Sequence, residues 1–448
     1  MGRKSFLRTV AGIAVPVGLQ SMLQSSFAMI DQLMAGQLGS TAVAAIEVAG
    51  RPAFIYSVVV GAVCAIAGIM ISQYLGMGDE EMSDRSLSVN LTAVTALALL
   101  FTAVCLLFPE RIIRIFIEED PAILAPGKDY LTRIAWTYLP MGLASVLSVM
   151  IRCMDRAVYP LGAGIASAAV NTALNYILIF GRFGFPALGV AGAAAASVIS
   201  QLVNLFLIFL MFYWIRVRKR GGFRFSLSLG SDGWRQFVLM LLPILVNEFL
   251  WSVGQNVNTY IYGHIGTGAL AAMSMTGPIQ GLFMGALGGV SQAAGILIGK
   301  RLGAREYGEA YQESKKLMLY GFAGSLALSA VLILIREPYV LLYKVEPEVQ
   351  ATAAGLLFLF AVLAPVKVAN LILGGGIIRS GGKTTYIMAI DMTGTWLVGA
   401  PLGLLTAFVF HMPIQWVYFI LSQEELVRLF LTAAVFRRKK WMTSLSGQ

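Results

Sequence analysis

Residues 67–76 read AGIMISQYLG, and residues 294–303 read AGILIGKRLG. The two phrases lie 227 residues apart, and the same displacement pairs Pro16 with Pro243, Gly36 with Gly263, Gly39 with Gly266 and Gly50 with Gly277. It also pairs Arg152 with Arg379 and Tyr159 with Tyr386. A chain with 47 glycines offers some chance matches, but not one displacement held over so many positions. The chain is an internal duplication, and its fold follows from what one copy does.

Each copy is built of long apolar runs. The 448 residues are 58% apolar and 12% charged, with a mean hydropathy of +0.76. Soluble domains are about 45–50% apolar and about 25% charged. A soluble chain of this composition would lack the polar surface to cover its cores, whereas a membrane helix needs ~20 apolar residues. Gly, Pro and charge clusters divide the runs into twelve predicted spans, near 8–34, 42–75, 86–108, 123–151, 157–181, 189–215, 235–262, 269–301, 309–335, 348–378, 384–410 and 413–436. The expected fold is all-α and polytopic: twelve transmembrane helices in two six-helix bundles, 1–215 and 235–448, joined by a linker at 216–234. Six is even, so the second copy enters from the same side as the first. The parallel copies imply a pseudo-twofold axis along the membrane normal and a cavity between bundles, the plan of an alternating-access transporter.

Charge sets the expected orientation. One side would hold Arg3, Lys4, Arg8, Arg85, Arg152, Arg156, Arg216, Arg218, Lys219, Arg220, Arg224, Lys300, Arg301, Arg305, Arg379, Lys383 and the run Arg437–Lys440. The other would hold Arg111, Arg114, Lys128, Arg182, Arg336 and Lys344. The first side is then cytoplasmic, with both termini and the linker, in a cell (inner) membrane. The net charge of +10 is explained by this asymmetry, and no continuous basic face suggests nucleic acid. Cys64, Cys105 and Cys153 are odd in number and lack CxxC spacing, which argues against disulfides or zinc. The N-terminal MGRKSFLR leads into a segment too long for a signal h-region, so no cleaved peptide is expected.

Three phrases carry a family resemblance. PVGLQSMLQSSFAMIDQLMAGQLGSTAVAA (16–45) resembles the first helix and turn of multidrug and toxic compound extrusion (MATE) transporters. NTALNYILIFGRFGFPALGVAGAAAASVISQ (171–201) resembles that family's fifth and sixth helices, and GGGIIRSGGKTTY (374–386) its tenth-to-eleventh connection. The resemblance extends over nearly the whole chain. It implies export of organic compounds driven by proton or sodium gradients, without ATP or another cofactor.

Charges inside the spans are the candidate site residues. Asp31 lies in the outer half of the first span, where an ionised carboxylate costs several kcal/mol unless paired or hydrated. It is either a coupling-ion or proton site, or the partner of Arg51, although Arg51 has Glu47 at i−4 as another partner. The resemblance implies a cation site, because the family carries an acidic residue here. Asn171 and Asn175 share one helix face and offer amide oxygens suited to sodium, or to bonding a carboxylate or another helix. Family members often have Asp where this chain has Asn175, and Thr where it has Ser197. Asp31, Asn171, Asn175 and Ser197 could thus hold sodium, or Asp31 could simply carry a proton.

The second copy is not a duplicate here, since Asn258 stands at the repeat position of Asp31. Glu248, Lys367, Asp391, Glu424, Glu425 and Arg428 fall near mid-span instead. Glu424 and Arg428 are expected to pair at i,i+4. Glu248 with Asp391 is a candidate substrate or second proton site, and Lys367 either their counter-ion or a contact for a substrate anion. Trp251, one turn after Glu248, is a candidate cavity aromatic, and Arg51 a further candidate contact. Pro16 and Pro243 would bend their helices.

SGGKTT (380–385) resembles a phosphate loop, but Ile377 stands where that motif needs Gly, so no ATP site is expected. His264 and His411 suggest no metal site, and no nucleophile elbow appears, so the chain is not expected to be an enzyme. The expected partners are the bilayer and a small organic molecule, handled by a monomer. Six membrane carboxylates (Asp31, Glu47, Glu248, Asp391, Glu424, Glu425) against three cations (Arg51, Lys367, Arg428) favour cationic or zwitterionic substrates. A lipid or lipid-linked saccharide flippase is the alternative.

Overall fold

The computed structural model describes residues 3–115, 121–218 and 222–445. Of the basic residues that argue for orientation, the side chains of Arg3, Lys4, Arg218, Lys219 and Arg220 lie outside the described set.

The helices are α1 (Arg3–Gly36), α2 (Thr41–Met77), α3 (Glu80–Leu107), α4 (Ile123–Cys153), α5 (Val158–Phe180) and α6 (Val190–Arg216). The second copy contributes α7 (Gly230–Ile265), α8 (Thr267–Gly303), α9 (Tyr307–Val340), α10 (Pro347–Ile378) and α11 (Thr384–Val409). Eleven described helices are long and apolar enough to cross a membrane. The twelfth expected span is split at Ser422–Gln423 into α12 (Ile414–Leu421) and α13 (Glu424–Arg438). Its second piece opens with Glu424 and Glu425 and carries Arg428, so its first turns are polar rather than apolar. Pro16 and Pro243 lie inside α1 and α7. The three cysteines are free thiols.

By packing, the chain forms two compact units. The N-unit comprises 22–71 and 79–231, and the C-unit comprises 1–21, 72–78 and 232–448.

In the N-unit, Tyr56 is fully buried and donates to the Tyr138 carbonyl at 2.8 Å, tying α2 to α4. The chain that follows α6 is laced along α3. Arg216, 1% exposed, bonds Asp84 at 2.7 Å and Glu80 at 2.5 Å. Arg224 N donates to Asp84 Oδ2, Ser226 N to Ser88 Oγ, and Arg85 to the Ser228 carbonyl at 2.9 Å. Buried charge is tolerable at Arg216 because both carboxylates are within bonding distance.

In the C-unit, the ends of α2 and α8 cross backbone to backbone. A Cβ on Gly76 would overlap the Lys300 carbonyl, and one on Gly303 would overlap the Gln73 carbonyl. Gln73 and Lys300 are themselves repeat partners, so the contact is reciprocal and needs glycine on both helices. Gln73, fully buried, donates to the Ser380 carbonyl at 2.7 Å and accepts from Leu445 N at 2.9 Å. Thr443 Oγ1 donates to the Gly381 carbonyl, and Trp441, fully buried, stacks on Phe436. The C-terminal residues are thereby strapped to the crossing. Residues 371–378 of α10 and 393–399 of α11 are π-helical, which re-aims side chains relative to a regular helix.

Candidate functional site

One polar cluster in each unit gathers the candidate residues.

In the N-unit, α1 and α5 run side by side, and Asn175 Nδ2 donates to Asp31 Oδ1 at 2.8 Å. Asn171, one turn away on the same face, brings its amide to both carboxylate oxygens. With its nitrogen turned toward them, it donates at 2.9 and 3.0 Å. With its oxygen turned toward them, Asn171 instead accepts from Asn175 at 3.1 Å, and its nitrogen bonds Ser200 Oγ at 3.3 Å. The first orientation suits an ionised carboxylate. The second brings amide and carboxyl oxygens together, which suits a protonated carboxyl or a cation among them. The Asn175 Oδ1 is buried and accepts no protein hydrogen bond.

Among the described residues Asp31 has no ion pair. Arg51 is bound to Glu47 at 2.8 Å, both well exposed, so of its two possible partners the structure selects Glu47. Ser197 contributes its backbone carbonyl, to Ser200 Oγ at 2.9 Å, rather than a hydroxyl bond to Asp31. Tyr130 of α4 lies within electrostatic reach of Asp31.

In the C-unit, α7, α10, α11 and α13 converge on Arg428. Its guanidinium lies 3.9 Å from Asp391, 3.6 Å from Glu424 and 3.9 Å from Glu425, and it bonds Thr395 Oγ1 closely. The Glu424–Arg428 pairing expected at i,i+4 is present, and Arg428 is shared with two more acids. Lys367 pairs with Glu425 at 3.4 Å, and Asn370 donates to the other Glu425 oxygen at 2.8 Å. Asn247 donates to Asp391 Oδ2 at 3.0 Å. Glu248 is within electrostatic reach of Asp391 and Arg379.

Two glycines of α11 make room for this cluster: a Cβ on Gly394 would run into Arg428, and one on Gly399 into Glu424. Trp251, half exposed, lines a small cavity with Asn247, Asp391, Thr395, Trp396 and Arg428. Three carboxylates (Asp391, Glu424, Glu425) thus meet two cations (Lys367, Arg428), so the fully ionised set is one negative charge in excess. Asn247, Asn370, Arg379 and Thr395 were absent from the sequence candidates. For Asn247 a signal existed in its position beside Glu248, one turn before Trp251.

Long apolar helices in two copies, with isolated carboxylates held inside the spans, define a polytopic membrane protein of duplicated six-helix construction. The MatE family profile matches residues 16–177 and again 243–405, beginning at the two repeat-related prolines. The chain belongs to the MatE family, the multidrug and toxic compound extrusion transporters. It is 27% identical to the probable multidrug resistance protein NorM of Chromobacterium violaceum, over 89% of this chain and 85% of that protein. It is 23% identical to the uncharacterized transporter YisQ of Bacillus subtilis, over 95% and 93% respectively. Its fold matches the crystal structure of an aspartate-to-asparagine mutant of the Vibrio cholerae MATE transporter VcmN with a TM-score of 0.88 at 16% identity, covering 98% of this chain and 99% of that one.

Proposed function

We propose that this protein is a secondary active exporter that moves organic, cationic or zwitterionic compounds outward in exchange for protons or sodium. The observation that carries the reading is Asp31: a carboxylate inside a span, held by neutral amides and without a cationic partner among the described residues. A carboxylate locked in a salt bridge has no reason to release or take up a proton. One held only by amides can do so, or can bind a sodium ion, with amide oxygens completing the shell. The Asn171 amide, with its nitrogen toward Asp31, donates to both oxygens of the ionised carboxylate. An ion that binds one conformation better than the other shifts the equilibrium between them.

The C-unit cluster is the proposed substrate or second proton site. Its excess negative charge supports a cationic ligand, and Trp251 beside Asp391 supports cation–π contact with it. Lys367 acts there as the counter-ion of Glu425. The same charge balance, with multidrug resistance proteins among the relatives, makes flippase activity the less favoured reading. The working bodies are the two repeats, 1–215 and 235–448, joined by 216–234. The protein works as a monomer in the cell (inner) membrane with both termini cytoplasmic.

Proteoliposomes loaded with a cationic dye, under an imposed proton or sodium gradient, test this reading. Asp31→Asn should abolish gradient-driven export while leaving the folded protein intact. Undiminished export by that variant would overturn the coupling assignment.

A further inference from the structure

The C-unit carries a cationic surface that the transport reading does not use. Arg437 and Arg438 end α13 and Lys439 and Lys440 follow it, all exposed, and Lys315 and Lys316 lie exposed on the third turn of α9. A stack of rings joins the two groups. Tyr311 of α9 stacks on Phe436 of α13 at 4.9 Å, and Phe436 on Trp441 at 5.6 Å. Lys315 Nζ and Lys439 Nζ stand 4.5 and 4.7 Å from the same Tyr311 centroid, so the two ammoniums are no more than about 9 Å apart.

Like charges gathered in this way repel one another unless an anion joins them. Among the described residues no carboxylate takes that place. The nearby carboxylates Glu306, Glu309 and Glu313 are all drawn to Arg301. Among the described residues, none of the six cations is in an ion pair. Because Trp441 is fully buried beneath it, the patch is held in shape rather than left as a loose tail.

Its depth selects the partner. Lys315 and Lys316 immediately precede the uncharged run 317–335, and Arg437 immediately follows the uncharged run 429–436. Both groups therefore end at the hydrocarbon boundary, where aromatic rings also collect. Below the cations run exposed apolar stripes. Leu319, Phe322 and Leu326 continue the face of Lys315 at i+4, i+7 and i+11, and Phe430 and Leu426 continue that of Arg437 at i−7 and i−11. A soluble polyanion has no use for these stripes. A lipid places its headgroup on the cations and its chains along the stripes.

We propose that this surface binds an anionic phospholipid of the leaflet bordering the α13 end, its phosphate held between Lys315 and Lys439 on the Tyr311 platform. Each basic residue near an anionic membrane surface contributes enough to change retention about fivefold.

Native mass spectrometry of the intact protein, with phosphatidylglycerol and phosphatidylcholine of identical acyl chains, tests the site. The wild-type chain should retain phosphatidylglycerol preferentially. Lys315→Gln and Lys439→Gln should each lower that retention about fivefold and leave phosphatidylcholine unchanged. Both are exposed positions, so the variants keep the fold, and a thermal melt verifies it. Equal retention of the two lipids by the wild type, or unchanged preference in the double variant, would overturn the proposal. So would complete displacement of phosphatidylglycerol by inorganic phosphate or a short oligonucleotide, since the stripes would then contribute nothing.

Discussion

Asp31 and Asn175 are hydrogen-bonded across 144 residues of chain, and Asn247 and Asp391 are bonded across the same 144. Thr384 and the Met240 carbonyl share that separation too. Helices α7 and α11 therefore pack as parallel neighbours, and their repeat counterparts α1 and α5 are bonded at the same separation. Along this seam the acid has changed sides. It stands on the first helix in the N-unit and on the fifth of its repeat, α11, in the C-unit. The second pair also sits eleven residues before the repeat position of Asp31, about 16 Å along the helix. Duplication kept the packing while the chemistry diverged.

That relationship makes Asn175 a supporting residue with a measurable role. Asn175→Leu removes the donor at 2.8 Å and leaves a half-buried carboxylate less satisfied, at a cost of about 1–3 kcal/mol. Gradient-driven export should fall, and the melting temperature should drop more in wild type than in an Asp31→Asn background, where only the bond to Asn171 is lost. Equal drops in both backgrounds would show that Asn175 acts elsewhere.

Arg428 holds three carboxylates, so Arg428→Met should destabilise the protein by about 3–5 kcal/mol, the cost of uncompensated buried charge. Adding Glu424→Gln should restore part of that loss, because one of the stranded charges is gone. A double variant no more stable than the single would mean that the guanidinium matters for packing rather than charge.

At the crossing of α2 and α8, Gly76→Ala and Gly303→Ala each push a methyl into opposing backbone, costing about 1–3 kcal/mol. Because the contact is reciprocal, the double variant should fall short of additivity by about 0.5 kcal/mol or more in denaturation experiments. Strict additivity would mean that the two glycines do not share one contact.

Gln73→Ala should free the C-terminal strap, since Leu445 N and the Ser380 carbonyl lose their common partner. Trypsin cleavage within Arg437–Lys440 should accelerate several-fold while the remaining helices stay protected. Unchanged digestion would place the strap's anchorage on Trp441 and on the Thr443 bond to Gly381.

Much of this architecture is one-dimensional information. Apolar runs of spanning length, a glycine pattern repeating at 227 residues and the rarity of charge within the runs are properties of residue order. So is the shared face of Asn171 and Asn175, which the helical period dictates. Which face meets which neighbour is a different kind of quantity. That Arg51 turns to Glu47 and leaves Asp31 to two amides depends on helix rotation. That Thr395 joins Arg428 depends on the π-helical stretch that carries it and re-aims its side chain. That residues 1–21 and 72–78 pack with the second copy depends on glycine-to-backbone crossings between distant parts of the chain. Hydropathy and spacing follow from each residue's own chemistry and its near neighbours. Rotation, register and crossing are settled only when all the helices compete for the same space, and the tertiary structure alone decides them.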